Sequence, residues 1–185
     1  MKDKPIAFLG KTAVLGASLF MFLVIQALFQ FLLIPGYTAA SGGLGIPDMG
    51  MAYTPDRLYT LLAVMEGEAL VWYNRVQLAD LFYPLAYGGF FGSLLVKIYR
   101  KKYDDPIHYR WIVAVPLLAA GFDYLENLGF RMALILAPGR YDMLGWILSG
   151  LSTLKFLTLG LGVLLILTGI GYFIKGRRDA HFARK

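Results

Sequence analysis

Ala119-Ala120-Gly121-Phe122-Asp123-Tyr124-Leu125-Glu126-Asn127-Leu128-Gly129-Phe130-Arg131 sets two acids, an amide and an arginine inside a long apolar segment. Asp123, Asn127 and Arg131 are spaced by four and Glu126 lies three beyond Asp123, so a helix places all four on one side. The surrounding run, Trp111–Leu136, is long enough to cross a bilayer, whose hydrocarbon takes about 20 helical residues. Ionisable groups at that depth are expensive, which makes them the starting point for a functional reading.

Working outward, three more segments have the same character, and the four expected spans are residues 12–33, 76–96, 111–136 and 144–174. The chain of 185 residues is 58% hydrophobic and 16% charged, against about 25% charged in an ordinary soluble domain. The expected fold is an all-α integral membrane protein. Its four transmembrane helices form a bundle in a single domain, 1–185, with a short amphipathic interfacial helix between the first and second spans.

The charge pattern sets an expected orientation. Thirteen Lys and Arg residues lie in Lys2–Lys11, Lys97–Arg110 and Lys175–Lys185, whereas the other two connections hold Arg57, Arg75 and Arg140. Arg131 and Lys155 fall inside spans and complete the 18. The bias places both termini in the cytoplasm of a multi-pass inner-membrane protein. It also accounts for the net charge of +6 without nucleic acid, which is not an expected partner. Met1–Lys11 followed by an apolar run of about 22 residues reads as a retained helix; cleavage near Thr38-Ala39-Ala40 is the alternative.

Several chemistries are excluded. There is no cysteine, so there are no disulfides, thiolate metal sites or cysteine nucleophiles. His108 and His181 fall in a connection and in the C-terminal tail, away from the bundle, and no Glu-x-x-His pair exists. No cofactor and no metal are expected.

Between the first two spans, residues 34–75 form the expected extracytoplasmic segment. Ile34–Asp48, rich in glycine and proline, reads as a loop. Thr54-Pro55-Asp56 starts a helix whose apolar face is Leu58, Leu61, Leu62 and Met65. Such a helix lies on the membrane surface or serves as a lid over the bundle. Gly67 is expected to bend the chain before the second span, in which Gln77, Asp80, Pro84 and Tyr87 share a face with Tyr83 beside them. Pro84 is expected to kink that helix next to Asp80.

In the first span Ser18, Phe22, Gln26 and Gln30 define one face, either a packing seam or, at the two glutamines, a pocket wall. The fourth span contributes Ser149, Ser152 and Lys155, and counting from the outer end puts Lys155 level with Glu126 as its expected partner. By the same count Arg131 lies near the level of Asp80.

Three acids, Asp80, Asp123 and Glu126, thus share the outer half of the bundle with Arg131 and Lys155. Fully ionised, that set carries −1, so one acid is expected to hold a proton, and Asp123, deepest and furthest from a cation, is the candidate. The expected catalytic acid and base are Asp123 and Glu126. The expected ligand-binding residues are Asp80, Tyr83, Tyr87, Asn127, Arg131 and Lys155, with the two cations holding an anionic head group.

The combination of Asp80-Leu81-Phe82-Tyr83-Pro84-Leu85-Ala86-Tyr87, Asp123-Tyr124-Leu125-Glu126-Asn127 and Thr153-Leu154-Lys155 resembles a pattern of small bacterial four-span membrane proteins with an intramembrane D-x-x-E-N motif. In plan it is more distantly similar to EXPERA-type proteins, the sterol isomerase group, with no motif matching residue by residue. That likeness implies a small helical bundle that takes amphipathic ligands, and no site residue is carried over from it.

The leading functional expectation is an outward-opening cavity that binds a lipid-like or amphipathic small molecule, with acid–base chemistry at Asp123 and Glu126. The alternatives are an accessory subunit docked on a membrane-protein partner and a proton-coupled transporter acting as a homo-oligomer. The lipid bilayer is a partner in every case.

Overall fold

The computed structural model describes residues 4–182; Lys2, Arg184 and Lys185, counted in the charge bias, lie outside them, as do the side chains of His181, Arg177 and Arg178. The described residues form α1 (Lys4–Leu9), α2 (Thr12–Leu28), α3 (Ile34–Ala40), α4 (Pro55–Ala63), α5 (Gly67–Asp80), α6 (Tyr83–Tyr99), α7 (Arg110–Leu136) and α8 (Asp142–Phe182). A π-helical turn, Phe29–Leu33, joins α2 to α3, and 3₁₀ turns occupy Pro47–Met49 and Pro106–His108. Four stretches are long and apolar enough to cross a membrane: Thr12–Ala40, Gly67–Tyr99, Arg110–Leu136 and Asp142–Tyr172.

The two expected boundaries that move are those around the connection 34–75. Ile34–Ala40 is helix, not loop. Pro35 has no N–H to donate and would crowd the carbonyl one turn back in a regular helix. The wide turn just before it absorbs the mismatch, with the Ile34 N–H reaching back to the Phe29 carbonyl. Gly36 lets α3 and α5 approach closely, since a Cβ there would sit 2.7 Å from the Trp72 ring. At the other end, α5 begins at Gly67, nine residues before the expected start of the second span at Val76. Gly67 adopts φ +49, a value glycine tolerates, and so turns the chain directly into the helix.

The second span is broken rather than kinked. Pro84 stands in the first turn of α6, where its missing N–H costs nothing, and Leu81 and Phe82 form the joint. Tyr124 of α7 donates its hydroxyl to the Leu81 carbonyl at 2.7 Å, satisfying an acceptor at that joint.

Packing follows chain order: α6 lies between α2 and α7, and α7 lies along α8. One core, near the end where α7 finishes and α8 starts, gathers Leu33, Tyr37, Leu58, Leu62, Tyr73, Phe130 and Leu148. A second, toward the opposite end, is built on Leu95, Val96, Tyr99, Tyr109 and Val113.

The amphipathic α4 is not laid on a lipid surface by its apolar side. Leu58, Leu61 and Leu62 of its apolar face, and Met65 just beyond its end, are all buried in the protein. Thr54 caps it by accepting from the Arg57 N–H at 3.3 Å. It is tied to the start of α8 through Arg140, whose guanidinium bonds Asp142 at 2.6 Å and Asp56 at 2.5 Å. Those two carboxylates, Asp142 first, hold Arg140 still more firmly in its charged form than usual. Tyr59 and Tyr141 exchange a pair of bonds, with the Tyr141 N–H donating to the Tyr59 hydroxyl at 2.7 Å.

Candidate functional site

Three side chains reach one cavity because their helices have matching lengths on one side of them. Asp80 lies 13 residues from Gly67, Asp123 lies 13 residues from Leu136, and Lys155 lies 13 residues from Asp142. At a rise of about 1.5 Å per residue, each is about 20 Å from the same end of the bundle. Asp80 is therefore deeper than one turn from the boundary, the depth expected of it, because α5 starts earlier. The antiparallel register then sets Asp80 opposite Asn127 and moves Arg131 up to Asn74.

Lys155 is the hub. Its ammonium is 2.6 Å from Glu126 Oε2 and 3.2 Å from Asp123 Oδ1, with all three side chains buried. Glu126 Oε1 accepts from the Ser152 hydroxyl. Asp123 Oδ2 accepts from the Tyr87 hydroxyl at 3.0 Å. Asp80 Oδ2 accepts from the Asn127 amide at 2.6 Å. These bonds are the arrangement a buried charged cluster requires, because a carboxylate removed from water must be paired and hydrogen-bonded.

Two expectations change here. Asp123 is not remote from a cation: its Oδ1 is 3.2 Å from the Lys155 ammonium, and its Oδ2 accepts from Tyr87. The reason is the turn spacing of α7, where Asp123 and Glu126, three apart, lie on the same side and grip one ammonium. Arg131 does not join the cluster. It is exposed and donates to Asn74 Oδ1 at 2.7 Å on another face of α7. The central set is thus Asp80, Asp123, Glu126 and Lys155, which carries −2 when fully ionised, one charge more negative than expected.

A cavity of about 270 Å³ lies beside the cluster. Asp80, Asp123, Lys155, Tyr83 and Tyr87 reach its wall, joined by Gln26 and Gln30 of the first apolar stretch. The rest of the lining is apolar: Phe29, Ile34, Ile46, Met49, Val76, Phe156 and Leu159. Tyr83 donates to Gln26 Oε1 at 2.7 Å, and its ring meets those of Tyr87 and Phe29 edge-on at 5.3 and 5.4 Å. The face Ser18–Gln30 divides accordingly: Ser18 is buried and bonds its own helix at Val14, Phe22 stacks on Tyr83, and the two glutamines reach the cavity.

Glu126 and Asn127 do not line this cavity. Glu126 is fully buried behind Lys155, and Asn127 lines a separate groove with Arg131. Ile46 and Met49, from the connection between α3 and α4, contribute to the cavity lining. Its flanks are α2 with the π turn on one side and α8 on the other. These two elements pack on α6 and α7 respectively and make no extended contact with each other among the described residues.

Ser152, which the sequence places on the fourth span with Lys155, bonds Glu126. Ile46, Met49 and Asn74 join the cavity and the groove without being singled out by the sequence, because they depend on how the connection folds back and where α5 begins. No protein family, no curated protein and no solved structure matches this chain.

Proposed function

We propose that this chain is a multi-pass membrane protein whose central cavity binds a lipid-like amphipathic small molecule. The observation that carries the reading is the convergence of two carboxyls, one ammonium, two phenols and two amides on a cavity that is otherwise apolar. Few polar groups in an apolar concavity is the ordinary make-up of a small-molecule site. The apolar body of the ligand would rest on Phe29, Phe156 and Leu159, and its polar end would face Asp80, Asp123, Tyr83 and Tyr87.

The electrostatics favour a head group that is cationic or rich in hydrogen-bond donors. Lys155 is already shared by Asp123 and Glu126, and Arg131 is elsewhere, so an anionic head group has lost both of its expected anchors. The separation of α2 from α8 supports entry from the side, where a membrane-dissolved ligand would arrive. Any proton transfer would run through Asp123, the member of the expected acid–base pair on the cavity wall, with Glu126 acting on it through Lys155. The charge bias supports an inner-membrane protein with both termini cytoplasmic.

Native mass spectrometry of gently extracted protein tests this, comparing wild type with Asp80→Asn and with the cavity-filling Leu159→Trp. A small molecule retained by the wild type and lost from both variants supports the reading and identifies the ligand class. A ligand retained equally by all three overturns it. Co-extraction of larger membrane proteins with no small ligand moves the accessory-subunit reading ahead.

A further inference from the structure

A groove of about 610 Å³ runs on the outer surface between α5 and α7, on the far side of Asn127 from the cavity. Its walls are Asn74, Gln77, Leu78, Leu81, Tyr124, Asn127, Leu128 and Arg131. Arg131 stands at one end of it. The guanidinium carries five N–H donors, and the one contact it makes among the described residues is to the neutral carbonyl of Asn74. No carboxylate pairs with it among the described residues, although three acids lie within the same bundle.

Such a cation, five residues before the end of α7, is about 8 Å from the helix terminus, the depth at which a long side chain reaches the head-group layer. The remainder of the groove is the opposite in character. Leu78 is 62% exposed, Leu81 52% and Leu128 60%, forming an apolar track leading away from the arginine toward the middle of the bundle.

We propose that this groove is a binding site for an anionic phospholipid, its phosphate gripped by Arg131 and Asn74 and one acyl chain lying on Leu78, Leu81 and Leu128. The remaining guanidinium donors can take two phosphate oxygens side by side, a geometry a lysine ammonium does not offer. The site is distinct from the central cavity, since Arg131 and Leu128 take no part in lining it.

The test is native mass spectrometry of the full chain in a detergent supplemented with phosphatidylglycerol, with diacylglycerol, or with inorganic phosphate. The wild type is expected to retain one phosphatidylglycerol and neither of the other two. Arg131→Gln should weaken retention about tenfold, the loss of a charge-assisted hydrogen-bond pair, and Arg131→Lys should fall between. Leu128→Trp, which keeps the arginine and blocks the track, should also lose the lipid, and it decides the matter if Arg131→Gln fails to fold. Leu159→Trp, which fills the cavity, should leave phosphatidylglycerol retention unchanged, so loss of the cavity reading and loss of this one are told apart. Equal retention by wild type, Arg131→Gln and Leu128→Trp overturns the proposal, as does equal retention of diacylglycerol. Binding of inorganic phosphate that displaces the lipid also overturns it, by showing a site for the free ion.

Discussion

Lys155→Met removes the hub of the buried cluster while preserving much of its length, so little cavity is created. In the structure the ammonium touches Glu126 at 2.6 Å and Asp123 at 3.2 Å, and the three side chains are 7%, 0% and 5% exposed. Removing one partner of a buried ion pair costs about 3–5 kcal/mol, because the other charge is stranded. Two carboxyls are stranded here, so the upper part of that range is expected, a loss of about three orders of magnitude in the folding equilibrium at about 1.4 kcal/mol per tenfold. The compensated variant Lys155→Met with Asp123→Asn and Glu126→Gln strands no charge. It keeps side chains able to accept from Tyr87 and Ser152, and it should recover more than half of the loss. The assay is reversible unfolding in mixed micelles, followed by far-ultraviolet circular dichroism and by tryptophan fluorescence. A single variant destabilised by less than about 1 kcal/mol would refute the reasoning, because that is the size expected of a solvated pair. A triple variant no better than the single one would refute it too, since geometry and not charge would then set the cost.

Leu58→Ala tests whether α4 is a packed element: Leu58 is fully buried, so a loss of about 2–5 kcal/mol is expected on thermal unfolding, whereas a helix lying on lipid would show little change. Gly129→Ala should destabilise by about 1–3 kcal/mol in the same assay, because its Cβ would collide with the Leu148 side chain across the α7–α8 contact. Gly121→Ala, with open space around its Cβ, is the matched control and should be neutral or slightly stabilising. Tyr87→Phe removes the phenol that donates to Asp123 at 3.0 Å; a stability loss of about 1–3 kcal/mol is expected, together with weaker ligand retention in native mass spectrometry.

How far the sequence foretold this arrangement depends on the range over which each signal acts. Hydropathy is summed over about 20 residues, so the four long helices are legible in the sequence. Helical spacing acts over one or two turns, and it was enough to place Asp123, Glu126 and Asn127 on one side of α7 and to pair Glu126 with Lys155. What spacing cannot supply is the start of a helix. Reading the second span from Val76 rather than Gly67 displaced Asp80 by nine residues, about 14 Å of helix, and that displacement set it near the level of Arg131, whereas its partner is Asn127. The missed start has a physical basis. Gly67-Glu68 opening a polar first turn with Asn74 and Arg75 lowers the local hydropathy below what a lipid-crossing helix requires, yet Ala69, Tyr73 and Val76 are buried against the protein. The same cause misplaced α3, where the Pro35-Gly36 pair signals a loop unless a wide turn precedes it and an indole covers the glycine. Both errors fall where protein contacts, rather than lipid, stabilise the helix. Those are also the elements whose Ile34 and Val76 close the cavity, so the wall of the candidate site is the part of the fold that hydropathy alone reads least well.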